Sequence, residues 1–297
     1  MKLINFGSLN IDYVYAVPHF VRPGETLSST VLTVNCGGKG LNQSIAVCRA
    51  GIPVVHAGCI GQEGLFLKEK LDSAGVDTAS LRIVEEKTGH AIIQVDDAGQ
   101  NCILLYSGAN RVLDEQYVDE VLASADKDDV ILLQNETSAV SYIVDKASEM
   151  GLRIAMNAAP SDHHLDDVAL EKLTWLFVNE SEGAFLSDCN DPNAMISVLS
   201  ARYPHTCIVL TLGGDGSCAH DAYGTVTCPI FHTPVVDTTA AGDTFTGYFL
   251  RAAMDGKTLE EQLRFASAAS AIAISRPGAA DSVPVYEEVV EFLNTQA

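Results

Sequence analysis

Short, nearly continuous apolar runs punctuate this chain at Val54–Cys59, Val130–Leu133, Leu152–Met156, Thr174–Val178 and Ile208–Leu212. Each has the length of a strand, and a strand apolar on both faces belongs to a sheet covered on both sides. A further strand is expected over Lys2–Leu9. Stretches of helical spacing lie between most of these runs, including Ser138–Met150 and Ala194–Tyr203. Strands alternating with helices predict an α/β fold, a three-layer doubly wound and mostly parallel sheet.

Two segments leave that rhythm. Gly89–Val95 and Cys102–Ser107 flank the turn-rich interval DDAGQN and read as a β-hairpin. Together with the extended stretch between Ile11 and Val34 they predict a small separate sheet, a candidate lid formed by residues 11–35 and 88–107. No repeat, charge block or Ser/Gly/Pro-rich linker marks a seam, so a single domain over 1–297 with this insertion is expected.

Charge then narrows the partners. The 297 residues carry 18 Lys+Arg against 39 Asp+Glu, a formal charge of −21. Such a surface repels phosphate backbones and anionic headgroups, so neither nucleic acid nor a membrane is expected as partner. MKLINFGSLNID lacks the pattern of a signal peptide, and the longest apolar run, Ala268–Ile274, is far short of a membrane span. The eight cysteines are scattered without a C-x-x-C pair, and most stand in apolar segments. Free structural thiols in a reducing cytoplasm are expected. An acidic chain that handles an anion must also create positive potential locally, from backbone N–H groups, helix ends or a metal ion.

Asp237-Thr238-Thr239-Ala240-Ala241-Gly242-Asp243-Thr244-Phe245 has that capacity. Small residues at 240–242 admit a ligand to the backbone, and the apolar stretch that follows has helical character. A helix start there aims unpaired N–H groups of Ala240, Ala241 and Gly242 at an anion. Asp243 beside them suits a general base for a hydroxyl during phosphoryl transfer, and equally an N-terminal cap. A second glycine-rich loop, Gly37-Gly38-Lys39-Gly40-Leu41-Asn42-Gln43, opens another helix ending near Gly51. It lacks P-loop spacing. Its Lys39 and Asn42 fit a polyhydroxyl ligand, or the loop is an ordinary helix start.

Six more segments join these two in order: Gly7-Ser8-Leu9-Asn10-Ile11-Asp12, Pro23-Gly24-Glu25-Thr26, Ser107-Gly108-Ala109-Asn110, Asn179-Glu180-Ser181-Glu182, Thr211-Leu212-Gly213-Gly214-Asp215-Gly216 and Gly278 through Pro284. Their sequence and spacing resemble those of the ribokinase-like (PfkB) carbohydrate kinases over the whole chain. Within that family GSLNID, PGET, GGKGLNQ and AAGDTF are most similar to the ribokinase branch.

The resemblance implies roles. Asn10 and Asp12, expected at the end of the first strand, match contacts to sugar hydroxyls, as do Gly38, Lys39 and Asn42. Glu136 matches a sugar-binding glutamate, and as a residue fits a helix-capping acid equally. Ala91, Ile93 and Leu105 match apolar lid positions over the sugar, where core packing is the other natural role. Asn179 and Glu182 match a motif associated with Mg²⁺ and phosphate through water. Thr211, Gly213 and Gly216 match the loop at the ATP phosphates, and the same residues suit a tight hairpin between strands. Asp237, Thr239, Ala273, Arg276, Gly278 and Ser282 match a monovalent-cation site, with K⁺ expected. A homodimer through paired lids is implied as well.

Three departures bear on the substrate. Asn157-Ala158-Ala159-Pro160 lacks one proline of the family pattern, His90 stands at an ordinarily apolar lid position, and Ser267 replaces a larger residue near the adenine. His90 neighbours Ala91 on a strand and is expected to face away from the sugar. The expectation is an ATP-dependent kinase for the primary 5-hydroxyl of D-ribose, with Asp243 as base. The alternatives are a related kinase for fructose, deoxyribose, a sugar acid or a nucleoside, and a catalytically silent sugar-binding protein on the same scaffold. A nicotinamide-dependent oxidoreductase fits the alternation but lacks the dinucleotide fingerprint after the first strand.

Overall fold

The computed structural model describes residues 1–296. Its strands are β1 Leu3–Phe6, β2 Asn10–Ala16, β3 Val31–Gly37, β4 Val54–Ala57, β5 Cys59–Ile60, β6 Arg82–Ile83 and β7 Gly89–Val95. They continue with β8 Asn101–Tyr106, β9 Val130–Gln134, β10 Arg153–Asn157, β11 Trp175–Asn179, β12 Cys207–Thr211, β13 Ser217–Asp221 and β14 Gly224–Cys228. The expected strands over 130–133, 152–156, 174–178 and 208–212 are met within a residue at each end.

Eight strands make one sheet in the order β14-β13-β12-β11-β10-β9-β1-β4. It is parallel from β4 to β12, and β13 and β14 add antiparallel at one edge. Alternation along β9 shows how the core divides. Ile131 and Leu133 pack into one cluster with Tyr117 and Ile143, while Val130 and Leu132 pack into another with Leu41, Ile45, Phe245 and Phe249. Successive side chains on a strand face opposite sides, so an all-apolar strand needs helices on both. The helices Lys39–Arg49 and Ala241–Met254 share the second side, and they bring the two glycine-rich segments together.

Four strands make a separate sheet in the order β3-β2-β7-β8. The hairpin between 89 and 107 is present as β7 paired antiparallel with β8. The first strand is shorter than expected and does not carry Asn10 and Asp12. The ladder reaches Gly7, whose N–H still donates to Ala57 O at 3.0 Å, and the chain then leaves the sheet. Leu9 N donates instead to Asn110 Oδ1 at 2.9 Å. Asn10 therefore opens β2, paired with Gly37 and Gly89 in the small sheet. Among the described residues no helix is long and apolar enough to cross a membrane.

Candidate active site

The helix Ala241–Met254 begins at Ala240, held in the left-handed region at φ 59° with no side-chain cap. That conformation is unfavourable for alanine, and such strain concentrates where a backbone must face a ligand. Ala241 N donates to Thr238 O at 3.2 Å and is spent within the turn. The N–H groups of Ala240, Gly242 and Asp243 find no acceptor among the described residues, so the open donors include Asp243's own and exclude that of Ala241. Asp243 is 9% exposed. Asn42 Nδ2 donates to its Oδ2 at 3.0 Å and Gln43 Nε2 to its Oδ1 at 2.9 Å. Burial pushes its pKa up, while Lys39 and these two amides pull the other way without cancelling the rise.

At the other glycine-rich segment, Gly38 caps the helix Lys39–Arg49 at φ 98°, and a side chain there would meet Ser8 O at 2.8 Å. Glycine is required on both counts. Lys39 Nζ stands 3.8 Å from Glu136 Oε1, and Lys39 N donates to Glu136 Oε2 at 3.3 Å. Ser8 Oγ also donates to Glu136. Burial disfavours the charged ammonium, but Glu136, Asp243, Glu182 and Asp12 outweigh it and raise the Lys39 pKa. Lys39 is thus a fixed cation among four carboxylates. Asp12 is pushed up to about 6, first by burial and then by Glu136, with Lys39 opposing. Asn10 Oδ1 accepts from Asn110 Nδ2 at 2.8 Å, which turns the Asn10 amino group toward other acceptors.

Asp12, Ala91 and Leu105 share one row across β2, β7 and β8, and Ile93 lies one pleat along on the same face. Ala91 is buried, whereas Leu105 is 44% exposed. His90 is on the opposite face, as expected, with its ring 6.0 Å from Tyr13 and 5.0 Å from Tyr106.

At the end of β11, Asn179 and Glu182 form a reciprocal capping box at the helix Glu180–Ser187. Glu182 Oε2 accepts from Asn179 N at 2.8 Å and Oε1 from Asn179 Nδ2 at 3.0 Å. The cap accounts for the N-x-x-E spacing locally, yet it also holds a carboxylate into the cavity beside Asp243 and Lys39. Burial raises the Glu182 pKa against the Asn179 bond and Lys39. Thr211, Gly213 and Gly216 form the turn between β12 and β13, so the hairpin is real and also lines a cavity.

Two cavities meet at this point. One of about 180 Å³ is lined by Lys39, Asn179, Glu182, Thr238 and Asp243; the other, about 160 Å³, by Gly213, Gly216, Phe231 and Ser267. Thr211, Ala241 and Gly242 line both, which sets the helix start between a polar chamber and a more apolar one.

The six positions matched to a monovalent cation gather behind that turn. Asp237 Oδ1 accepts from Thr239 N at 2.9 Å and Oδ2 from Gly278 N at 3.0 Å, tying the 237–239 and 273–282 segments together. Ser282 Oγ donates to Ala279 O within the second segment. Arg276 points its guanidinium at Glu288, leaving only its backbone for the loop. A carboxylate and backbone carbonyls are oxygen donors suited to a hard monovalent ion. Among the described residues no group of three His, Cys, Asp or Glu could hold a metal by itself.

The sequence pattern defining the pfkB family carbohydrate kinases matches residues 1–285. The chain belongs to that family. A ribokinase of Haemophilus influenzae is 36% identical over 97% of this chain and 96% of its own length. Ribokinase of Cryptococcus neoformans var. grubii, solved in complex with ADP, superposes with a TM-score of 0.83 at 36% identity, covering 98% of this chain and 99% of that one. Ribokinase of Arabidopsis thaliana, complexed with ribose and ATP, gives 0.88 at 28% identity and 98% of each chain. A pfkB kinase must bring a hydroxyl acceptor and a nucleotide to one point, and here the polar residues of β2, the Lys39 loop and the Ala241 helix converge on it. Sequence reading did not assign Ser8, Gln43 or Asn110. Each is a polar residue buried in an otherwise apolar or glycine-rich stretch, and that mismatch was the available signal.

Proposed function

We propose that this carbohydrate kinase is an ATP-dependent ribokinase that transfers the γ-phosphoryl group of ATP to the 5-hydroxyl of D-ribose. One observation carries the reading: a buried carboxylate, Asp243, stands at an uncapped helix start between a polar cavity and a more apolar one. Asn10, Asp12, Asn42 and Glu136 supply donors and acceptors for a compact polyhydroxyl ring. Asp243, its pKa raised by burial, accepts the hydroxyl proton. The O–P bond to the sugar forms as the bond to the ADP oxygen breaks. Lys39 and the N–H groups of Ala240, Gly242 and Asp243 stabilise charge on the migrating group.

Mg²⁺ bound with the nucleotide would neutralise phosphate charge, and the Glu182 carboxylate, already engaged in its cap, fits contact through water. K⁺ would sit with Asp237, Thr239, Ala273, Arg276, Gly278 and Ser282 and steady the turn that carries the helix start. Closure of the small sheet excludes water from the site. Pairing of two such sheets would cover their exposed apolar residues in a homodimer, and the site of action is the cytoplasm.

The test is kcat/KM for ribose, deoxyribose, fructose and a nucleoside, with Mg²⁺ and with or without K⁺. Ribose is expected to exceed deoxyribose by about 10-fold or more, because a site built for a hydroxyl leaves polar groups unpaired without it. K⁺ raises the ribose rate. A nucleoside or fructose preferred over ribose would replace this reading with a sister activity of the family.

A further inference from the structure

Behind Asp243 runs a line of polar side chains that reaches no substrate. Asn5, Gln43, Ser44, His56 and Gln134 are each 0% exposed. Gln134, the last residue of β9, donates from Nε2 to Gln43 Oε1 at 2.7 Å and to Asn5 Oδ1 at 3.0 Å. Asn5 on β1 donates in turn from Nδ2 to Gly40 O and Ser44 Oγ, both at 2.8 Å, and Ser44 Oγ lies 2.8 Å from His56 Nδ1. Burial lowers the His56 pKa to about 4, so the line ends on a neutral ring.

The bonds fix an orientation. An isolated glutamine amide can turn either end toward a carboxylate. Gln43 cannot, because its carbonyl oxygen is held by Gln134 and its NH2 group is left facing Asp243 Oδ1. Gln134 is itself oriented because Asn5, committed as a donor to Gly40 and Ser44, offers it only an acceptor. Buried polar groups are costly unless paired; Gln134 Oε1 and His56 Nε2 find no partner among the described residues, and the bonds that Gln134 and Gln43 do make present one donor to one oxygen of Asp243.

We propose that Gln134 is a positioning residue for the phosphoryl-transfer reaction: acting through Gln43, it locks the amide that holds Asp243 in its reactive orientation. The inference rests on Asp243 being the base. Its signature is electrostatic, since a donor to the carboxylate favours the ionised form and its loss favours the protonated one. The charged groups facing Asp243 are Lys39 from the helix Lys39–Arg49 and Glu182 from the helix Glu180–Ser187. Asp12 and Glu136 act on Lys39 from the sugar side. None of these touches Gln134, so its replacement leaves them in place.

The experiment is the pH profile of kcat at saturating sugar and Mg-ATP, where bound sugar removes the titration of Asp12 from the readout. Gln43→Met is expected to move the acid limb up by about one unit and Gln134→Met by about half a unit, with the sugar KM within about twofold. The double variant moves it no further than Gln43→Met alone, because Gln134 acts through Gln43. Gln134→Glu keeps the size of the side chain and guards against a variant that misfolds. At this fully buried position the carboxyl is held protonated, its O–H can donate to Gln43 Oε1 as the amide did, and the limb is expected to stay closer to the parent than in Gln134→Met. Additive shifts in the double variant, or losses of kcat equal at every pH with the limb unmoved, would overturn the inference. Asp243→Ala separates the two readings: if it still turns over, the base assignment fails; if it is inactive while Gln134→Met keeps the parent profile, only the positioning role fails.

Discussion

Every residue of Val130–Gln134 in the large sheet is buried, whereas every residue of Asn101–Tyr106 in the small sheet is exposed. The roles proposed for Asp243 and Asp12 fall on either side of the same line. Asp243, Gln43 and Gln134 sit in or against the large sheet, where packing and hydrogen bonds hold them before any ligand arrives. Asp12 sits on the small sheet with no hydrogen-bond partner for its carboxylate among the described residues, and in the proposed reading sugar hydroxyls supply one. A preorganised base and an adaptable recognition surface are different solutions, because proton transfer needs fixed geometry and water exclusion needs something that closes.

The division breaks most visibly if Asp243 proves dispensable. Asp243→Ala is expected to lower kcat by about 10³-fold, the scale of a lost general base. Ribose affinity by calorimetry should change by no more than about threefold, since Asn10, Asp12, Asn42 and Glu136, the groups proposed to hold the sugar, are left in place. A loss of affinity that matches the loss of rate would mean that the two sheets share the work.

Asp12→Asn comes next and has two effects of opposite sign. The neutral amide loses a charged acceptor, so the ribose KM should rise about 10-fold or more with a smaller change in kcat. In the unsubstituted enzyme the same dependence appears as pH falls through about 6, where Asp12 takes up its proton and ribose binds more weakly. Stability runs the other way. The folded carboxyl holds its proton up to about pH 6 against an ordinary 3.8, so the ligand-free fold loses stability as pH rises across that window. Asp12→Asn removes the loss and should raise Tm at pH 7.5 by about 2 °C, with no gain near pH 4. An unchanged Tm at both pH values would remove Asp12 from the strained set. Glu136→Gln should lower the midpoint of the ribose-binding profile, because Glu136 is the second cause of the shift.

How much of this was readable along the chain follows the same division. The strands over 130–133 and 208–212 are legible because burial on both faces keeps them apolar almost to their ends, where Gln134 and Thr211 stand. The polar and glycine-rich segments pointed correctly to the two helix starts because short-range chemistry makes them. Asn10 and Asp12 were expected at the end of the first strand, although Asp12 also fell within the lid stretch 11–35, since nothing local reports that Leu9 turns its N–H to Asn110, 101 positions away. The spent N–H of Ala241 is invisible for a similar reason, as it depends on the turn closing onto Thr238 O. Gln43 looked like an ordinary polar residue of a helix. Only the approach of Asp243, 200 positions on, makes it part of the site.

The smallest expected effect falls on the outer surface of the small sheet. Ile103 is 56% exposed and Leu104 68%, on opposite faces of β8, and Val31, Leu32 and Val34 on the other edge strand are about half exposed. Substituting Ile103 or Leu104 by Ser should alter the stability of a single chain by no more than about 0.5 kcal/mol, the range of surface changes. A homodimer built on these sheets responds differently, because an apolar side chain covered by a second copy contributes about 1.5 kcal/mol to association. Sedimentation across a concentration series then separates the two costs: Tm at high dilution stays put, while the dissociation constant of the dimer rises by about 10-fold for whichever of the two faces is covered. If the unsubstituted chain sediments as a monomer at every concentration, the exposed rows serve closure over the sugar alone. In that case Ile103, which shares the face of Asp12, should affect the ribose KM, and Leu104 should affect nothing.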